Sequence, residues 1–413
     1  LTNESGAVTT TGATADNYNI KWDGETLTLK NAAIRGGHQF RPGESAAIYY
    51  SGQDDITLKL SGNNTVTGPG GGDTEVSCGV YAGSDLTISG DGTLNVSGGE
   101  VSANDAYSYG IFTPCDITIS GGSVTAEGGT ASTTGASYAE SFGIFAYNIT
   151  ISGGTVNADG GTASATGNES YACSYGIYAR DVIVSNGEVT ATGGTASAGN
   201  TGGHAESYGI YAYDLTVSDG EVTATGGTAS ADSEASSRGI YVDMEATISG
   251  GEVTATGGSA SADSKAYSNG IDALRITVAP AEGQQIAVTA GTDESSAAAI
   301  IGSPFQEETE IVDLASAAGV AYFKSAAEPA RYSVTLHPNG GTIAGGKDVT
   351  SYLCGTGASL PGAGDVTRSG YRFAGWYADE ALTDGPYTQI SAADAGDMAF
   401  YARWVRRSSS GGG

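Results

Sequence analysis

Short apolar runs, rich in β-branched side chains and bounded by Gly, Ser, Asn or Asp, recur along most of this chain. Each set opens on a Gly-aliphatic-aromatic triplet: Gly79-Val80-Tyr81, Gly110-Ile111-Phe112, Gly143-Ile144-Phe145, Gly176-Ile177-Tyr178, Gly209-Ile210-Tyr211 and Gly239-Ile240-Tyr241, fading to Gly270-Ile271-Asp272. The glycine-to-glycine steps are 31, 33, 33, 33, 30 and 31 residues. A second run follows from Asp85, Asp116, Asn148, Asp181, Asp214 and Glu245, and a third is centred on Leu94, Val124, Val156, Val189, Val222 and Val253. Helical repeats of this period need 3.6-residue amphipathicity, whereas these runs have the length and residue types of strands. A four-residue strand buries nothing alone. If each repeat is one turn of a coil, equivalent strands stack in parallel ~4.8 Å apart and share a continuous core. The pattern therefore predicts an all-β chain, a right-handed parallel β-helix of about eight coils with ~32 residues each.

Two-residue alternation along a strand puts Phe142, Ile144 and Ala146 inward, with Gly143 and Phe145 outward. Cys78 falls on the same inward position as Phe142. Ala47-Ile48-Tyr49 and Asp55-Ile56-Thr57-Leu58 read as an earlier coil, and Arg275–Val278 with Ile286–Val288 as continuations. Between third and first runs lies a variable segment such as Gly160 to Gly176, rich in Ala, Ser and Thr, read as an extra stacked strand or a wide loop. The predicted boundaries are an N-terminal cap over 1–45, the β-helix over 46–330, a second domain over 331–405 and a Ser/Gly linker over 406–413.

Composition narrows the function classes. Forty-six acidic residues against 17 basic ones give a net charge of −29. A nucleic-acid backbone or an anionic membrane surface needs clustered Lys and Arg, so neither is an expected partner. Glycine supplies 66 of 413 residues against only 9 prolines, and the repeat assigns that excess to corners rather than to disorder. No apolar run reaches the ~18 residues of a membrane span, so this segment is not expected to insert directly in a membrane. Cys78, Cys115, Cys173 and Cys354 form no C-x-x-C pair, and their separation disfavours a disulfide.

The repeat stops after ~330. Val334-Thr335-Leu336, the Asn339-Gly340-Gly341 turn, Leu360-Pro361, the run Arg368-Ser369-Gly370-Tyr371-Arg372-Phe373-Ala374-Gly375-Trp376-Tyr377 and Tyr401-Ala402-Arg403-Trp404 resemble the Listeria-Bacteroides repeat, or internalin B-repeat. The resemblance covers 332–404 and implies a small β-grasp-like spacer or adhesion module of bacterial cell-surface proteins. Residues ~18–300 resemble the carbohydrate-binding β-helix surface proteins of clostridia. That resemblance rests on Trp22-Asp23-Gly24-Glu25-Thr26-Leu27-Thr28-Leu29, Ile56-Thr57-Leu58, Gly79-Val80-Tyr81 and the Leu86–Gly99 segment. Together they imply an extracellular protein at a bacterial cell surface, with a polysaccharide or host glycan as partner and further domains after Gly413.

In a solenoid, one repeat position becomes one line of surface side chains. The outward aromatic column Tyr81, Phe112, Phe145, Tyr178, Tyr211 and Tyr241, with Tyr147 and Tyr213 nearby, is the candidate glycan-binding strip. Its structural alternative is cross-strand stabilisation of the sheet. The acidic column Asp85, Asp116, Asn148, Asp181, Asp214 and Glu245 reads first as Asx side chains capping a corner. Asp85, Asp116, Asp181 and Asp214 are also the candidate calcium ligands, calcium being the one cofactor considered. Glu188, Glu221 and Glu252 form a third column, read as a solvated face. No catalytic residue is assigned: the coils carry few basic residues and no long insertion that would mark an active site. The expected function is a non-catalytic adhesin or carbohydrate-binding protein. The alternatives are a polysaccharide lyase or glycoside hydrolase acting on acidic glycans, and a structural stalk without ligand.

Overall fold

A computed structural model describes residues 18–71, 74–311 and 320–407. Its contacts divide the chain into a solenoid running to residue 326 and a C-terminal unit from residue 327, which also takes in 280–286 and 305–307. Residues 1–17 of the expected cap lie outside the described residues, as do 408–413 of the expected linker. Arg406, assigned to that linker from sequence, ends the strand Met398–Arg406.

The solenoid is a parallel β-helix, and its third runs make the simplest ladder. Eight strands, from Ala33–Arg35 and Asn63–Thr67 to Glu221–Thr225 and Glu252–Thr256, pair in parallel in unbroken register. Stacking thus begins within residues 26–35, since Thr26–Lys30 also pairs in parallel with Ile56–Ser61, and not at 46 as the sequence suggested. At the far end Tyr322–Ala326 runs antiparallel to Glu252–Thr256 and stops the ladder. Ile286–Val288 does not add a parallel coil either, because its strand Gln284–Gly291 turns back to pair antiparallel with Ala298–Ala299.

First and second runs form two parallel ladders that fuse into single long strands at Tyr171–Val184, His204–Val217, Glu234–Ile248 and Lys265–Val278. Core columns run through the stack: Ile117, Ile149, Val182 and Leu215 from the second run, and Val124, Val156, Val189 and Val222 from the third, all at most 1% exposed. Burying such a side chain contributes ~1.5–3 kcal/mol, so the repeated columns dominate stability.

The variable segments form an extra strand in six of the coils. Val101–Ser102, Thr130–Thr133, Thr162–Ala165, Thr195–Ala198, Thr228–Ala231 and Ser259–Ala262 stack as a six-stranded sheet. Its inward alanines, Ala131, Ala163, Ala196 and Ala229, pack on Ala139, Ala172, Ala205 and Ala235 of the first strands. Only small side chains allow so close an approach of two sheets.

Where they meet, a serine spine replaces hydrophobes. Ser141 donates to the Gly129 carbonyl at 2.7 Å and accepts from the Gly161 amide at 3.1 Å. Ser174 repeats this one coil on, donating to Gly161 O at 2.8 Å and accepting from Gly194 N at 3.1 Å. Each hydroxyl satisfies one buried backbone group in its own coil and one in the next. Ser174→Ala is expected to strand both and cost ~1–3 kcal/mol, read as a lower denaturant midpoint of the solenoid transition. An unchanged midpoint would remove the spine from the account of stability.

The C-terminal unit has a four-stranded sheet with spatial order Ser351–Leu353, Arg331–His337, Met398–Arg406, Tyr371–Tyr377. Its central pair is parallel and its outer pairs antiparallel. Trp376 is 1% exposed and donates its indole N–H to the Pro361 carbonyl at 2.9 Å, beside Phe400 and Tyr352. The sheet is mixed, and no helix lies among the described residues of the unit.

Candidate functional site

One glycine per coil decides which side chains share a face. Ser141 points inward to its backbone partners and Ile144 inward to the core at 0% exposure, yet two residues lie between them instead of one. The pairing keeps its register on both sides of Gly143, Tyr109 opposite Phe142 and Ile111 opposite Ile144, but skips the glycine itself. This local irregularity turns Phe142 to the same outer face as Phe145, their rings 5.3 Å apart and nearly perpendicular. Tyr109 and Phe112, and Tyr175 and Tyr178, repeat the contact at 4.7 and 5.4 Å. The expectation that Phe142 and Cys78 face the solenoid interior is therefore corrected: both belong to an outer cluster with Tyr109, Tyr175 and Tyr208. Strict alternation failed because it took no account of a glycine that can abandon the pleat.

Two aromatic columns consequently stand side by side. The outer one contains Phe145, Tyr178, Tyr211 and Tyr241, half-buried; the deeper one contains Phe142, Tyr175 and Tyr208, followed by Arg238. Phe145 and Tyr178 are parallel at 5.0 Å between centroids, and Tyr178 and Tyr211 at 4.6 Å. Parallel rings at this spacing are offset stacks. The column is shingled, each ring covering part of the next.

The two columns and their flanking acids line a groove of about 320 Å³. Glu140 and Glu206 contribute carboxyls to it, from strand positions separated by Cys173 in the next coil of the ladder. Burial, reinforced by the Glu206 and Asp105 carboxylates, pushes the Glu140 carboxyl up to about 7. Glu206 accepts a hydrogen bond from the Tyr175 hydroxyl at 2.7 Å. Arg238 forms an ion pair with Asp272 at 2.9 Å, in which its Nε makes no aligned hydrogen bond, donates to the Tyr208 hydroxyl at 2.8 Å and lies 4.7 Å over the Tyr241 ring. Tyr211 donates to Asp243 at 2.8 Å; burial first, then this bond, raises its hydroxyl. The acids and the deeper rings were not found from sequence, although the recurring aromatic-Gly-aliphatic-aromatic spacing carries the signal.

The remaining candidates fall elsewhere. Tyr81 and Phe112 continue the outer column beyond the groove, with centroids 5.3 Å apart. Tyr147 and Tyr213 are 49% and 41% exposed and stand outside the groove, on either side of the Arg180 guanidinium. The acidic column caps corners: Asp85 accepts from the Asp116 amide, Asp116 from the Asn148 side chain, and Asp214 from the Glu245 amide, all at 3.0–3.1 Å. At the next step, buried oxygens of Asn148 and Asp181 have no hydrogen-bond partner. Among the described residues no three His, Cys, Asp or Glu side chains gather as an ion cage. Glu188, Glu221 and Glu252 align in register, the last paired with Lys324. All four cysteines are free thiols.

Comparison with protein families places the Listeria-Bacteroides repeat domain on residues 332–403 and the β-helix repeat on residues 117–138, 149–171 and 247–271. No curated protein and no solved structure matches the chain. Both families are typical of extracellular or cell-surface proteins, and among the described residues no helix is long and apolar enough to cross a membrane. The chain is a surface-type β-helix protein that carries a Listeria-Bacteroides repeat domain.

Proposed function

We propose that this protein is a non-catalytic bacterial surface adhesin that binds a glycan along the aromatic groove between Phe142 and Tyr241. The observation that carries the reading is the groove itself. Two columns of rings with one ring per coil provide a repeating apolar wall, and carboxyls and phenols beside it provide hydrogen-bonding partners. Ligand sites have this composition: mostly apolar and aromatic, with few polar groups that fix orientation. The ~4.8 Å coil pitch is close to the advance per residue of an extended glycan, so successive sugars meet equivalent positions.

Tyr178→Ala combined with Tyr211→Ala is expected to weaken a glycan found by array screening by about tenfold or more, read by calorimetric titration. The same change at Tyr147 and Tyr213, outside the groove, should leave affinity unaltered. Silence of the whole array would favour a stalk without ligand. Calcium belongs to this reading only at the Asn148–Asp181 step, where two buried oxygens lack partners. A chelator that changes neither thermal unfolding nor glycan affinity would remove it.

One observation favours a second reading, glycoside hydrolysis. Glu140 and Glu206 face one groove two strand spacings apart, ~9.6 Å between backbones, near the roughly 6.5–9.5 Å carboxyl separation of inverting glycosidases. With its carboxyl near 7, about half of Glu140 is protonated at neutral pH, which leaves a fraction able to act as a general acid. Release of reducing ends, abolished by Glu140→Gln, would support this reading over adhesion. A lyase acting on acidic glycans is disfavoured, because Arg238, the one cation lining the groove, is held by Asp272.

A further inference from the structure

The charge inventory of the groove selects among glycans. Its walls carry two carboxyls, Glu140 and Glu206, and one cation, Arg238, which is already neutralised by Asp272. Glu206 receives a single hydrogen bond, from Tyr175, and no donor among the described residues reaches Glu140. A third acid, Asp105, is close enough to act on Glu140 electrostatically. Like charges gathered in a partly dried cleft repel one another, and no basic side chain of the groove relieves them. A uronic or sulfated polymer would add to that repulsion. A neutral glycan would leave the acids without charged partners. A ligand that brings its own cations removes the conflict, and a hydrogen bond between ions is roughly twice as strong as one between neutral groups.

We propose that the groove recognises an amino sugar, that is, a glycan segment bearing free ammonium groups, with Glu206 and Glu140 as the residues that set this specificity. The inference rests on the glycan-binding reading above and names the ligand class within it. Sugar rings lie along the shingled aromatic columns. An ammonium on one sugar reaches Glu206 beside the Tyr175 hydroxyl, and an ammonium two residues along the chain reaches Glu140. Phenol edges and offset ring faces around the acids exclude water and so strengthen both contacts.

The test is calorimetric titration of the full chain with a fully deacetylated glucosamine pentamer, the matching N-acetylglucosamine pentamer, and methylammonium as a bare ammonium. The expected result is binding of the deacetylated pentamer about tenfold or more tighter than the acetylated one. Glu206→Gln should reduce that preference, with affinity for the deacetylated pentamer falling further than affinity for the acetylated one. Glu140→Gln gives the same outcome through a variant that keeps shape and a neutral carboxamide. Glu188→Gln with Glu221→Gln, on the exposed acidic ladder, should change nothing, which separates the groove from general attraction to an acidic protein. Equal or tighter binding of the acetylated pentamer overturns the inference while the glycan-binding reading stands. Methylammonium binding as tightly as the deacetylated pentamer overturns the sugar as the source of the ammonium. No binding of either pentamer, with array silence, removes the glycan reading and this inference together.

Discussion

Gly176→Ala is expected to destabilise the solenoid by ~3 kcal/mol or more and to abolish glycan binding in the same variant. A Cβ at this position would sit 2.5 Å from the Ala158 carbonyl oxygen, 2.7 Å from that of Gly209 and 2.8 Å from the Thr192 amide nitrogen. All three are backbone atoms of neighbouring strands, so no side chain can swing aside and the strand itself must move. Overpacking of a well-filled interior costs ~1–3 kcal/mol where side chains can adjust, and more where they cannot. The damage extends to the groove, because the glycine lies between Tyr175 and Tyr178, whose rings share one face 5.4 Å apart. Gly199→Ala is the matched control, with nothing closer to its Cβ than the Ala165 carbonyl oxygen at 4.0 Å. Urea unfolding of both variants, followed by titration with a bound glycan, measures the two effects. If Gly176→Ala unfolds with the parent midpoint, close packing at this strand glycine is not what holds the coil.

Replacing Glu140 by Gln should raise stability at pH 8 by as much as ~3 kcal/mol and leave it unchanged near pH 4. The ordinary carboxyl value of 4.5 applies to the unfolded chain, whereas in the fold burial, with the Glu206 and Asp105 carboxylates adding to it, lifts the group to about 7. Below 4.5 both states hold the proton and the residue is neutral to stability. Between 4.5 and about 7 the folded chain keeps a proton the unfolded chain has lost, so stability falls as pH rises. Above about 7 the penalty is constant, at ~1.4 kcal/mol for each unit of displacement. Glutamine copies the shape of the protonated acid without titrating, so the variant should lack this slope. Guanidinium midpoints at pH 4, 6 and 8 give the comparison, and parallel pH profiles for variant and parent would show that Glu140 is not held protonated. An amino-sugar ligand should offset the same penalty, since its cation stabilises the charged form.

These expectations differ in how far the sequence alone could reach them. The repeat was legible because a solenoid writes its fold in one dimension: each Val189 or Ile177 contacts its own equivalent one period away. A fixed step of about 32 residues in apolar β-branched runs permits few other solutions. The variable segment was legible only in part: its recurring alanines and hydroxyl residues left a stacked strand and a wide loop both open, and the structure makes it the strand type of Thr162–Ala165. The C-terminal module announced itself through Gly375-Trp376-Tyr377, whose tryptophan closes a small core.

Facing was not legible where local geometry departs from the pleat. Phe142 and Phe145 are three residues apart, and simple alternation sends them to opposite faces; Gly143 sends them to one. Nor could spacing show that Tyr147 and Tyr213, adjacent in pattern to the outer column, stand apart around Arg180. By itself the sequence determined the period, the strand-forming runs, the small-residue corners and the stacking of like on like. Those follow from short-range sterics and from hydrophobic repetition along the chain. Only the tertiary structure decided that Glu140 and Glu206 enter a shared groove beneath two ring columns while Arg238 is neutralised by Asp272. Burial and the distances between charges in successive coils depend on the register between strands, and that quantity no single repeat contains.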